Sequence, residues 1–479
     1  MRIFVLFLAL IGGTAAAQEI PAEEEAALAA GLASAPDGYS ADAVASRAAQ
    51  TSYQAQVNDA ALRGAAARVG TAWTAFFPRL GGTVSYTRDS DFTAKSLGTF
   101  VTTNDAPGPI TNISAKPPTL IGVPFALPPV VNNWFVQATL SVPVSDYFLR
   151  ITESYTAAVR GRDAAGFDLG AARMRSAADG RLAYYDWLRA QGALVVARLA
   201  LADQRTHLHD TRTLFEVGGA SQVDVLRVET AVSAAELVVV QSENLVDVSA
   251  RQLRVALHVD DQAGLASSER IDGARPAPIS ERVAALIAEA QTRRYEVRSL
   301  DANAAAAGAQ AKAALATAMP VLSAFASAEY ANPNERVFPE TNTWSGTWEA
   351  GVRLSFSPND IGFGVTQSDD ARSRARNLVA QRQLLRDGIA VEVTQAYDAV
   401  READFSLGST GQQLTSAREA VRVARELFLA GRVTSTTLTD AETELTRARL
   451  AVLNARIDAR TTRVRLEHAL GRDQRFAAR

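Results

Sequence analysis

Apolar and polar positions along the chain follow two periods, and each period returns twice. In "WFVQATLSV" Val136, Ala138, Leu140 and Val142 face one way, and Gln137, Thr139 and Ser141 the other. In "WSGTWEAGVRLSF" Trp344, Trp348, Ala350, Val352, Leu354 and Phe356 share a face opposite Glu349, Arg353 and Ser355. Leu80, Val84 and Tyr86 oppose Arg79, Thr83 and Ser85, and Leu322, Ala324, Ala326 and Tyr330 oppose Ser323, Ser327 and Glu329. This alternation predicts strands over about 78–88, 134–146, 320–331 and 343–357. One apolar and one polar face fit a half-buried soluble sheet, which the strands alone favour, or a lipid-facing barrel. Trp344 and Trp348, with Tyr86 and Tyr330, fit an interfacial girdle in the second case and a core in the first.

The other period is helical. No proline interrupts the chain from about Ile151 to Val217, or from about Gly364 to Ala430. A helix over either stretch would be ~100 Å long, far beyond the three or four turns usual in globular domains. The two runs end in nearly the same letters, "LFEVGG" at Leu214 to Gly219 and "LFLAGR" at Leu427 to Arg432. Glycine just past a helix end can take the left-handed conformation that reverses the chain. Further helices are predicted over about 220–258 and 434–471, and another over about 280–318. The last long helix carries two apolar lines. Leu438, Ala441, Leu445, Ala448, Val452 and Ala455 form one, and Leu450, Leu453, Ile457 and Val464 the other. Two lines imply two neighbours.

These returns are a duplication. With Leu214 set against Leu427 the register holds without gaps to Asp260 and Asp473, pairing Phe215 with Phe428, Gly218 with Gly431 and Glu229 with Glu442. Upstream, "FFPRLGGTVSY" matches "AMPVLSAFASAEY", with the first copy longer between its strands. Its extra length, Arg88 to Asn133, is rich in Pro, Gly, Thr and Asn and reads as a long loop. The expected division is 18–262 for the first repeat and 263–479 for the second. Between them Pro276 and Pro278 stop the chain, and Ser280 is a plausible cap for the next helix. This break and the two termini are candidates for a small domain around the long helices.

Composition narrows the class. The N-terminus "MRIFVLFLALIGGTAAAQEI" reads as a signal peptide over 1–17, with Arg2, a short apolar core and Ala15-Ala16-Ala17 before the cut. There is no cysteine, which removes disulfides, thiolate metal sites and an acylated lipoprotein anchor. No later run is apolar enough for a membrane helix, so entry into lipid would fall to strands. The net charge of −3 argues against a nucleic-acid partner. His207, His209 and Asp210 in "THLHD" tempt a metal reading, but positions i and i+2 do not share a helix face. Phosphate-loop, zinc-protease and nucleophile-elbow motifs are missing, and no enzyme or cofactor is expected.

An exported chain doubled as strand, strand, helix, helix, with "LSVPVSDY", "LFEVGGASQVDVLRVETAVSAAELVVVQSENL" and "LRVALHVD", resembles the TolC-like outer-membrane efflux protein family. The resemblance implies a mainly α fold with a small β part. Three protomers would each give four strands to a twelve-stranded outer-membrane β-barrel, and their helices would form a periplasmic α-barrel. It implies a passive exit duct in a Gram-negative bacterium, for small-molecule efflux or type I secretion. Its partners would be outer-membrane lipid, a periplasmic adaptor and an inner-membrane transporter. Adaptor docking would fall at the hairpin turns, Val217, Gly218 and Gly219 with Ala430, Gly431 and Arg432. By family position Asp224, Asp440 and Thr437 are candidates for the pore constriction. Arg227 stands in the first repeat where Asp440 stands in the second, and Val433 replaces a basic residue that can latch the tip. The alternative is a soluble periplasmic coiled-coil adaptor or structural protein.

Overall fold

A computed structural model describes residues 35–91, 98–103, 120–125, 131–271, 277–338 and 341–476. The expected signal peptide, most of the Arg88–Asn133 connection and Pro276 lie outside the described residues. In chain order the elements are α1 (Ala41–Thr51), α2 (Tyr53–Thr74), β1 (Arg79–Arg88), β2 (Gly98–Thr103), β3 (Leu120–Phe125), β4 (Asn132–Val142), α3 (Thr152–Glu216), α4 (Gln222–Leu257), α5 (Val283–Arg293), α6 (Tyr295–Ala316), β5 (Val321–Asn332), β6 (Ser345–Ser355), α7 (Pro358–Leu429) and α8 (Ser435–Ala469). They divide into two compact units. One comprises Met1–Arg63, Asp163–Asp301 and Val379–Arg479, the other Gly64–Arg162 and Ala302–Leu378.

The second unit holds an antiparallel sheet in the order β1-β4-β5-β6. Its register aligns one face across all four strands, Leu80 with Leu140, Ala326 and Ala350, and Val84 with Val136 and Tyr330. β4 ends at Val142 rather than running to 146. Pro143 has no N–H to give a ladder, and the chain turns into a short helical segment, Val144–Asp146, and a π-helical one, Tyr147–Ile151. The long loop expected after β1 is a further correction, because β2 and β3 pair within it as an antiparallel two-stranded sheet. α7 begins at Pro358, ahead of the expected Gly364, since proline is pre-organised for the first helical position.

The first unit is helical. The helix expected over 280–318 is two helices, α5 and α6, broken at Arg294, whose backbone is extended. That residue is nearly buried, and its guanidinium reaches Glu296 on α6 and Glu392 on α7. The two apolar lines of α8 face different neighbours, three helices in all. Leu445 and Ala448 pack on Leu414 and Ala417 of α7. Leu453, Ile457 and Val464 join Tyr184, Trp187 and Leu188 of α3 and Leu253 and Leu257 of α4. Segments from the N-terminus, the middle and the C-terminus come together here. Tyr39 bridges Ser267, and Phe476 packs on Ala45, Ala49 and Ala177. Arg472 binds Glu281 and Glu289, and its hydrogen bond holds the Glu289 carboxyl down to about 2.

Candidate functional site

Two regions carry the residues singled out by the sequence, the hairpin ends of the first unit and the sheet of the second. The hairpin ends follow from backbone chemistry. A helix leaves its last carbonyls without partners, and a left-handed residue lets its own N–H and the next turn back to them. At the α3–α4 turn Gly218 has φ +79°, its N–H reaches Phe215 O at 3.0 Å, and the Gly219 N–H reaches Leu214 O at 2.7 Å. At the α7–α8 turn Gly431 has φ +67°, its N–H reaches Phe428 O at 2.9 Å, and the Arg432 N–H reaches Leu427 O at 2.8 Å. The repeated Leu-Phe thus supplies the two accepting carbonyls, and the repeated glycine the left-handed residue. Val217, Gly218, Gly219, Ala430, Gly431 and Arg432 are all exposed.

The helix starts then diverge. Ser221 caps α4 in a reciprocal box with Asp224: the Asp224 N–H donates to Ser221 Oγ at 3.2 Å, and the Ser221 N–H donates to Asp224 Oδ2 at 3.1 Å. These Ser221 bonds hold the Asp224 carboxyl below its ordinary value. In α8 the corresponding residues are Thr434 and Thr437, and Thr434 makes no side-chain cap bond. The Thr437 hydroxyl lies 3.2 Å from that of Thr434. Asp440 is exposed and makes no side-chain hydrogen bond or ion pair within the described residues, whereas its counterpart Arg227 donates to Thr436 Oγ1 at 2.7 Å. Of the three constriction candidates, Asp224 and Thr437 are tied to their own helix starts and Asp440 is free.

The charges of the two hairpins are arranged differently. The first hairpin holds itself together through an exposed ladder one heptad apart, Arg198–Glu243, Arg205–Glu236 and Arg212–Glu229, at 2.6–2.9 Å. Arg425 and Glu442 are the second-repeat counterparts of Arg212 and Glu229, yet they do not meet. Arg425 binds Asp210 on α3 at 2.9 Å. Glu442 Oε2 lies 3.0 Å from His207 Nδ1 and accepts from Gln204 Nε2 at 2.9 Å. His207 Nε2 lies 3.2 Å from Ser435 Oγ, and the ring sits edge-on to Phe428 at 5.3 Å. The His207 side chain is fully buried and that of Glu442 is 7% exposed. One heptad on, buried Arg449 binds Asp203 at 2.7 Å.

This cluster was not anticipated. Its sequence signal was a polar line, Ser435, Glu442 and Arg449, recurring at heptad spacing between the apolar lines of α8. His209 takes no part in it, and among the described residues no group of three His, Asp or Glu is placed to hold a metal ion.

In the two central strands of the sheet, exposure runs opposite to that of a soluble fold, while the edge strands β1 and β6 are exposed on both faces. Along β4 the exposed residues are Trp134, Val136, Ala138 and Leu140, while Gln137, Thr139 and Ser141 are less exposed. Along β5 Leu322, Ala328 and Tyr330 are exposed, while Ser327 and Glu329 are buried. The preference for a half-buried soluble sheet therefore fails, because the apolar face is the uncovered one. Tyr86 lies 4.5 Å from Trp134, and Tyr330 stacks on Trp344 at 5.0 Å, all at one end of the sheet. Trp348 is on the same face, further along β6 opposite Ala328. Trp134 belongs with the four aromatic residues picked from the sequence. At the other end Phe77 precedes β1, Phe148 follows β4 and Phe356 follows β6, all exposed. Phe77 to Tyr86 spans about 30 Å of strand, or ~23 Å across a membrane at a tilt of about 40°. That is the height of an apolar barrel band between aromatic girdles. No helix among the described residues is long and apolar enough to cross a membrane.

A family profile described as "Outer membrane efflux protein" matches residues 44–258 and 286–472. The chain is 25% identical over 290 residues to the probable efflux pump outer membrane protein TtgC of Pseudomonas putida, covering 60% of this chain and 59% of that one. Its fold is similar to the crystal structure of CusC, with a TM-score of 0.73 at 14% identity over 90% of this chain and 92% of that one. It is also similar to the CmeC outer membrane channel of Campylobacter jejuni, with a TM-score of 0.71 at 14% identity over 91% and 86% of the two chains.

Proposed function

Because the chain belongs to the outer membrane efflux protein family, we propose that it is an outer-membrane exit duct, working as a trimer in efflux of small molecules or type I protein secretion. The observation that carries this reading is the uncovered apolar face of the sheet. A face of Leu, Val and aromatic residues flanked by two aromatic belts is costly in water and favoured in lipid. β1 and β6 are edge strands with unpaired backbone groups, which lipid does not tolerate. Pairing β1 of one copy with β6 of the next satisfies both, and three copies give twelve strands. The same exposed face disfavours a soluble periplasmic adaptor, which has no use for it.

On this reading the polar face lines the pore, and the signal peptide over 1–17 directs export and is removed. The exposed turns at Val217–Gly219 and Ala430–Arg432 meet a periplasmic adaptor that links the duct to an inner-membrane transporter. Asp440, exposed and without a partner among the described residues, lies at the constriction. The duct is passive, its driving energy comes from the transporter, and it opens by movement of the second hairpin against the first. Fractionation followed by an unheated gel tests the core of this reading. An outer-membrane band that collapses from oligomer to monomer on boiling is expected. A monomer in the soluble periplasmic fraction would contradict it.

A further inference from the structure

The first part of the connection between β5 and β6, residues 333–338, folds back over the polar face of the sheet instead of extending away from it. It contains Asn334, only 2% exposed although it sits in a turn. Asn334 Nδ2 donates to Ser345 O at 3.1 Å and to Thr347 Oγ1 at 3.3 Å, so the turn is fastened to the start of β6. Asn334 also accepts from within the turn, at Oδ1 from the Arg336 N–H and at O from the Val337 N–H, both at 3.0 Å. This frame aims the Arg336 side chain along the polar face. Its Nε lies 3.5 Å from Glu329 Oε2, and Nη2 lies 3.1 Å from Glu349 Oε1. Ser327 Oγ donates to that same Glu349 oxygen at 3.1 Å. Glu329 stands three residues inside the end of β5, so the guanidinium reaches about 10 Å back along the strand. The Glu329 side chain is 8% exposed beneath it.

We infer that Arg336, with Glu329 and Glu349, is a clamp that holds the β5–β6 loop inward across the outer mouth of the pore and limits which solutes pass. The inference rests on the reading that the polar face lines a barrel. One guanidinium against two carboxylates leaves each copy with an excess negative charge, so three copies place a negative ring beneath three inward loops. Such a ring admits cations more readily than anions. The other guanidiniums of the face stand apart from the clamp, Arg79 level with Phe325 on the far strand β1 and Arg353 stacked on the Phe325 ring at 4.7 Å. An Arg carries this role better than a Lys, because a planar fork can hold two carboxylates at once.

The chain has no cysteine, so single cysteines report access directly. Gln137 pairs with Glu329 in the register and therefore lies at the depth of the clamp. Gln137→Cys, in otherwise native protein and with Arg336→Ala, is to be labelled in whole cells with a bulky hydrophilic maleimide that cannot cross the outer membrane. Asn342→Cys in the exposed part of the same loop is the control, and an unheated gel checks assembly of each variant. The control should label quickly, and Gln137→Cys slowly. Arg336→Ala should speed Gln137→Cys about tenfold, as expected for loss of a clamp worth one decade in the open-to-closed ratio. Equal Gln137→Cys rates with and without Arg336, beside a labelled control, would overturn the clamp and leave the duct standing. A control that does not label from outside would sink the membrane reading and the clamp with it.

Discussion

The two helical hairpins end in the same turn and differ in how their charges are paired. Leu214, Phe215 and Gly218 close the first as Leu427, Phe428 and Gly431 close the second, bond for bond. Beyond the turn the likeness stops. Phe215 is exposed and Phe428 is buried against His207. Arg212 and Glu229 pair on the surface of one hairpin, while Arg425 and Glu442 cross to the other. Exposed ion pairs contribute about 0–1 kcal/mol each, whereas leaving a buried polar group without its partner costs about 1–3 kcal/mol. The first hairpin is therefore complete in itself. The second is held in place by polar contacts with its neighbour α3, centred on the buried His207. Duplication kept what backbone geometry requires and freed the charges to break the symmetry.

The comparison is broken most directly at the equivalent glutamates. Glu442→Ala should leave the buried His207 without its acceptor, a loss of about 2 kcal/mol. Amide exchange around 430–445 should then rise about thirtyfold. Glu229→Ala should change exchange in the first hairpin by less than about fivefold. Similar effects at the two sites would remove the asymmetry.

The turns offer a smaller and symmetric effect. Gly218→Ala and Gly431→Ala each force a side chain into left-handed backbone, costing about 1–2 kcal/mol. Exchange of the adjoining helix ends should rise to the same extent in both. Gly219→Arg, which copies Arg432, needs no positive φ and should be nearly silent by the same measurement.

The smallest effect is in the cap. Asp224→Ala removes one capping partner and should cost about 1 kcal/mol. The Ser221 bonds lower the folded-state value of this carboxyl. Its contribution is therefore present above the unfolded value of about 4 and is lost as pH falls through the depressed one. Exchange at the start of α4 should become acid-sensitive in that window, and at the start of α8, with Thr437 in that place, it should not.

Much of this was legible in the sequence, and the gaps have physical causes. The strands and long helices declared themselves because a period of two and a period of 3.6 survive without context. Which way the sheet faces did not, since alternation is identical for a face in lipid and a face in a core. The break at Arg294 carries no Gly or Pro, because a tertiary pairing with Glu392 sets it. β2 and β3 lie in a stretch whose turn-rich composition hides the pairing. In the hairpins Gly218 and Gly431 could be read from local chemistry alone. The His207–Glu442 contact could not, because it joins residues brought together by packing between the repeats. Asp224, a constriction candidate by family resemblance, is bound to Ser221, a local bond that the spacing Ser-x-x-Asp already encoded.

Single-channel recording in planar bilayers tests the account at its centre. Purified, heat-sensitive oligomer should give discrete, long-lived conductance steps with a preference for cations. Asp440→Ala should enlarge those steps and weaken that preference, while Arg227→Ala at the equivalent position should not weaken it. An assembled oligomer that gives no steps would contradict the duct. Steps whose size and ion preference ignore Asp440 would contradict its place at the constriction.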